Sequence, residues 1–108
     1  MDFNKKIHYF AGYLHDATVD LIKFNNPFDE KFTPIFDAIE DKADYLPLFI
    51  AFDTCYETID TFRNRAHDNS KASCTEAMQI NNFYDAKIES IDACRNLVSD
   101  KIKANNLI

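Results

Sequence analysis

A single glycine, Gly12, in 108 residues is the feature that most restricts what this chain can fold into. Hairpins, barrels and sandwiches turn through positive φ, where glycine is the residue of least steric cost, so a sheet protein of this length needs several. Helices joined by short connections need almost none. The prolines are as sparse, at Pro27, Pro34 and Pro47 only. The shortage of both residues predicts an all-α fold.

Apolar periodicity supplies the helices. Phe3, Ile7, Phe10, Leu14, Ala17, Leu21 and Phe24 step by three and four, which draws one continuous stripe on a helix over 3–24. Asn25-Asn26-Pro27 stops it, with Asn26 placed to cap the next turn and Pro27 at its first position. Pro34 predicts a fresh start capped by Thr33, hence a short helix over 33–43 carrying Ile35, Phe36, Ile39 and Ala43. Asp44 caps a third helix whose seam is Tyr45, Leu48, Phe52, Cys55, Ile59, Phe62 and Ala66, and Asp68-Asn69-Ser70 ends it. Ser73-x-x-Glu76 reads as a capping box opening a long last helix to about residue 104. Its apolar face is Ile80, Tyr84, Ile88, Ile91, Val98 and Ile102, and Asn81-Asn82 marks a bend or break. No linker or charge block divides the chain, so residues 1–108 form one domain, an antiparallel bundle of about four helices with a long C-terminal helix.

One segment occurs twice. Glu57-Thr58-Ile59-Asp60-Thr61-Phe62-Arg63-Asn64 returns as Glu89-Ser90-Ile91-Asp92-Ala93-Cys94-Arg95-Asn96, and Phe52-Asp53 matches Tyr84-Asp85 at the same offset. On a helical wheel each Arg lies about 40° from its Ile, at the border of the apolar face, with an acid three residues before it. Asp53, Glu57 and Asp60, or Asp85, Glu89 and Asp92, then form an acidic rim. If the third and fourth helices pack antiparallel, Arg63 approaches Glu89 or Asp85 and not Arg95.

Charge narrows the functional classes. Twelve basic residues are scattered among eighteen acids, for a net charge of −6. Phosphate backbones and anionic membranes select clustered Lys and Arg, so direct binding to nucleic acid or membrane is not expected. A protein partner with a basic surface is. The start, Met1-Asp2-Phe3-Asn4-Lys5-Lys6, lacks the apolar run of a secretory leader, and no stretch has the length of a membrane span. The expected location is the cytoplasm. Cys55, Cys74 and Cys94 are odd in number and lack metal-ligand spacing, which fits reduced thiols. Abundant Asn with Lys, Ile and Asp suggests an AT-rich coding sequence, hence a bacterium, phage or mobile element.

Catalytic machinery is sparse. Glu57-x-x-Asp60 and Glu89-x-x-Asp92 resemble the helical E-x-x-E and E-x-x-D pairs of the all-α nucleotide pyrophosphohydrolases, which implies Mg2+ held by carboxylates to position phosphates. The resemblance covers eight residues, without a full E-x-x-E element or a basic phosphate-gripping run. Arg63-Asn64-Arg65-Ala66-His67 resembles the Arg-x4–6-His element of HEPN ribonucleases, but only three residues separate Arg63 from His67. The residues three before His8, His15 and His67 are Lys5, Gly12 and Asn64, so the E-x-x-H of di-iron bundles is absent.

The reading is therefore a small acidic binding module, an inhibitor, immunity or antagonist protein that occupies a partner's surface without a cofactor and with a homodimer as one possible state. Its binding candidates are Tyr9, Tyr13, Asp53, Tyr56, Glu57, Asp60, Arg63, Glu89, Asp92 and Arg95, exposed aromatics and charges of the kind that make interface cores and rims. The alternative is a metal-dependent nucleotide hydrolase with Glu57, Asp60, Glu89 and Asp92 as ligands.

Overall fold

A computed structural model describes residues 2–70 and 73–107. It is 87% helical, and the described residues contain no strand. The elements are α1 (Phe3–Phe24), α2 (Phe28–Asp37), a single 3-10 turn (Lys42–Asp44), α3 (Tyr45–Ala51), α4 (Asp53–Asn69) and α5 (Cys74–Ala104). No described helix is long and apolar enough to cross a membrane.

The helix ends follow capping chemistry. Asp2 accepts from the Lys5 backbone N–H at 2.8 Å and opens α1, and Ser73 accepts from Glu76 N–H at 3.1 Å and opens α5. Asn25 ends α1 at φ 53°, where its N–H and that of Asn26 both reach back to Asp20 C=O. Asn106 ends α5 at φ 51° with the bonds of a Schellman stop, Leu107 N–H to Ile102 C=O at 3.1 Å and Asn106 N–H to Lys103 C=O at 3.2 Å.

Five local expectations are corrected. Helix α2 begins at Phe28 with no side-chain cap and runs through Pro34, instead of starting afresh at Thr33. The Phe28–Phe32 and Phe32–Phe36 rings stack at 6.3 and 5.2 Å, and Phe28 and Phe32 are buried, so packing carries the helix across the missing N–H for its last turn. Ala43, assigned to this helix, lies in the 3-10 turn and is exposed. Asp44 does not cap α3. Asp41 accepts from Ala43 N–H at 3.0 Å, while the Asp44 carboxylate holds Lys6 Nζ at 2.5 Å. The third helix is divided at Phe52, where i→i+3 bonds (Phe52 N–H to Phe49 O at 3.2 Å, Cys55 N–H to Phe52 O at 2.9 Å) tighten the ladder. Helix α5, by contrast, passes through Asn81-Asn82 without a break. Both side chains are exposed there and leave its backbone bonds intact.

Helices α4 and α5 run antiparallel, with Tyr56 beside Asp92, Arg63 beside Asp85 and His67 beside Asn81. Lys6 with Asp44, Leu14 with Cys55 and Lys23 with Phe62 advance together, so α1 and the α3–α4 rod lie side by side in parallel. Helix α2 packs on α1 and α5, closing the cross-section. Phe10, Leu14, Leu21, Phe28, Phe32, Leu48, Phe52, Cys55, Ile59, Ile91, Val98 and Ile102 fill the single core. Phe62, Ala66, Ile80 and Ile88 are only half-buried, and Phe24, at the end of the α1 stripe, is 67% exposed. The reason is length: α2 has 10 residues against 31 in α5. It stops about 30 Å short, and the molecule tapers within its 49 × 24 × 24 Å envelope.

Candidate functional site: the acidic face of α4 and α5

The duplicated segments occupy adjacent helices, and several matched residues share the same burial, though Asp60 is exposed where Asp92 is half-buried. Ile59 and Ile91 are fully buried, Phe52 and Tyr84 are buried, and Asp53 and Asp85 are exposed. Because α4 and α5 run in opposite directions, the two copies build different surroundings for their arginines.

Arg63 lies between two carboxylates, with Nη2 2.7 Å from Asp60 and Nη1 3.7 Å from Asp85. Antiparallel register thus selects Asp85 over Glu89 as the cross-helix partner. Among the described residues Arg95 has no carboxylate partner. Its guanidinium stands 4.4 Å from the Phe49 ring centroid and 6.0 Å from that of Tyr56, and its Nε is buried without a hydrogen bond. Asp92, three residues before it, accepts a short hydrogen bond from the Tyr56 hydroxyl instead. Burial, and then that bond, push the Tyr56 phenol above its ordinary pKa. The repeat therefore yields two separate edges, Asp60–Arg63–Asp85 toward the tip and Tyr56–Asp92–Arg95–Phe49 toward the base. The expectation that one composite site unites them meets a separation of about two helical turns.

Asp53, Glu57, Asp60, Asp85 and Glu89 are all exposed along this side of the bundle, and Asp92 is half-buried among them. Glu57 leans toward α1, where with His15, Lys23, Thr58 and Arg65 it lines a groove of about 520 Å³. Tyr9 and Tyr13 lie elsewhere. Tyr9 is 57% exposed in the groove between α1 and α2, beside Glu40, Asp41 and Asp44. Tyr13 is half-buried and donates its hydroxyl to the Lys31 carbonyl at 2.6 Å, which fixes it as a tie between α1 and α2.

As for metal, Asp60 is held by Arg63 and Asp92 by Tyr56, while Glu57 and Glu89 point from different helices. Among the described residues no three His, Cys, Asp or Glu side chains converge as a metal site. Cys55 and Cys94 are buried and Cys74 is exposed. Burial raises the Cys55 thiol to about 12 and the Cys94 thiol to about 11. Neither is a ready nucleophile.

Sequence reasoning missed Phe49 and Lys6. Phe49 was off the apolar seam of its helix, and the Lys6–Asp44 pair joins residues far apart in sequence; no local signal marks either. The geometry defines an all-α bundle with one carboxylate-rich face. No protein-family model, curated protein or solved structure matches the chain.

Proposed function

We propose that this protein is a small acidic binding module that acts by covering a partner's basic surface, as an inhibitor, immunity or antagonist protein of bacterial or phage origin. The observation that carries the reading is the α4–α5 face: five exposed carboxylates, Asp53, Glu57, Asp60, Asp85 and Glu89, with Arg63 between them. Such a face speeds encounter with a cationic target and discriminates against anionic ones. Tyr56 adds a half-buried aromatic tied to Asp92, so part of the face is rigid before binding and loses little side-chain freedom on it. Tyr9 and Tyr13 belong to another side and are not required.

The test is affinity capture from a bacterial or phage-infected lysate with wild type and with the triple variant Glu57→Lys, Asp60→Lys, Glu89→Lys, both verified as folded by circular dichroism. The expected result is a discrete protein retained by wild type, lost with the charge reversal and weakened by salt. Thermal unfolding with and without Mg2+ or Mn2+ is the companion measurement. A metal-dependent rise in Tm, together with nucleotide hydrolysis abolished by Glu57→Gln, would overturn the proposal in favour of a hydrolase.

A further inference from the structure

The early turns of α5 outrun α2 and leave a stripe with no covering helix. Glu76, Ile80, Phe83 and Lys87 follow one another at spacings of four, three and four, and fall within about 60° of each other on the helix. Phe83 is 45% exposed, and Phe24, at the end of α1, is 67% exposed. The end of α1 is tied to this stripe by Asn25, whose Oδ1 accepts from Lys87 Nζ at 2.7 Å. Lys87 also lies 4.8 Å from the Phe83 ring centroid. Neither Lys87 nor Glu76 forms an ion pair among the described residues.

We infer that this stripe binds a second copy of the chain, through antiparallel pairing of α5 with its two-fold mate. A two-fold interface must be complementary to itself, so that each residue meets a residue that meets it in return. The stripe meets that condition in one register. Glu76 of each copy faces Lys87 of the other, and Ile80 of each faces Phe83 of the other. The apolar pair lies at the centre and the opposite charges at the ends, the layout of an antiparallel helix pair. Parallel pairing would set Glu76 on Glu76 and Lys87 on Lys87. Phe24 flanks the seam and is covered by the incoming helix, which stands where a longer α2 would have stood. The mate supplies the missing fourth layer over half-buried Ile80. The acidic α4–α5 face described above is left free, so the inference is independent of the proposed function.

Sedimentation equilibrium of the full chain from micromolar to millimolar protein tests it. The expected mass doubles with concentration. Glu76→Lys and Lys87→Glu should each be folded monomers, because each sets like charges against one another at both ends. Mixing these two variants should restore the dimer, since every end then pairs Lys with Glu, and so should the double variant E76K/K87E alone. Phe83→Glu should be monomeric with unchanged helical content. A wild-type monomer at millimolar concentration refutes the inference. So does a dimer indifferent to Phe83→Glu, or a pair of charge variants that stays monomeric when mixed, because each places the contact elsewhere or nowhere.

Discussion

Phe52 packs the α3–α4 rod against α2, and its truncation is the sharpest test of the packing. The ring is fully buried, with centroids 6.1 Å from Phe28 and 5.7 Å from Phe32, at the division between α3 and α4. A buried aromatic removes roughly 150–250 Å² from water, worth about 4–6 kcal/mol at about 25 cal/mol per Å². Alanine keeps roughly 1 kcal/mol of that. The two neighbouring phenylalanines are themselves held by α2 and cannot collapse far into the space, so the cavity persists. Phe52→Ala should therefore cost about 4–5 kcal/mol, near the top of the range for such substitutions. That is a large part of the roughly 5–15 kcal/mol available to a domain of this size, and corresponds to a fall in Tm of about 20 °C. Urea unfolding followed by circular dichroism measures it, with Met78→Ala, on a side chain 65% exposed, as a control expected to lose under about 1 kcal/mol. The double variant with Phe28→Ala should lose about 1 kcal/mol less than the sum, because the two truncations share one cavity. If Phe52→Ala lost less than about 1 kcal/mol, the ring would not be part of a closed core and the placement of α2 over it would be wrong.

Four more outcomes follow from the structure. Tyr56→Phe removes the donor to Asp92 and should cost about 1–2 kcal/mol in urea unfolding, with the loss shrinking in an Asp92→Asn background. Arg95→Met keeps the apolar stem against Phe49 and removes a guanidinium with an unbonded Nε, so it should be neutral or stabilising within about 1 kcal/mol, whereas Arg95→Ala should destabilise through lost packing. Alkaline pH should unfold the protein through its buried thiols. Both Cys55 and Cys94 have folded pKa values raised from 9.0, to about 12 and about 11, so the unfolded chain releases their protons first. Stability is intact below pH 9, then falls by roughly 1.4 kcal/mol per pH unit for each thiol up to its folded value. Cys55→Ala should flatten the slope of stability against pH by about half between pH 9 and 10, below the point where the raised phenols of Tyr56 and Tyr84 add to the loss. A thiol reagent at neutral pH should modify Cys74 alone, and all three cysteines after unfolding.

Much of this was legible in the chain because a helix writes its own period. The near-absence of glycine, the three- and four-residue steps of Leu14, Leu21, Ile59, Ile91 and Val98, and the Ser73 cap concern residues within one or two turns of each other. Local sterics and amphipathicity decide such features before any tertiary contact forms. The repeat was also readable, including the meeting of Arg63 with Asp85, since antiparallel neighbours reverse one copy against the other.

Only the tertiary structure decided the rest. Pro34 is a helix breaker by itself, yet α2 passes through it because Phe28, Phe32 and Phe36 stack into the core. Asp44 has the identity of a cap and serves as the partner of Lys6. Phe24 reads as the last member of an apolar stripe, but its exposure depends on where a neighbouring helix ends, which its own helix does not encode. Arg63 and Arg95 occupy the same position in a repeated segment and differ in everything they touch. Their surroundings come from the opposite helix at a given depth, and sequence spacing within one helix carries no information about that depth.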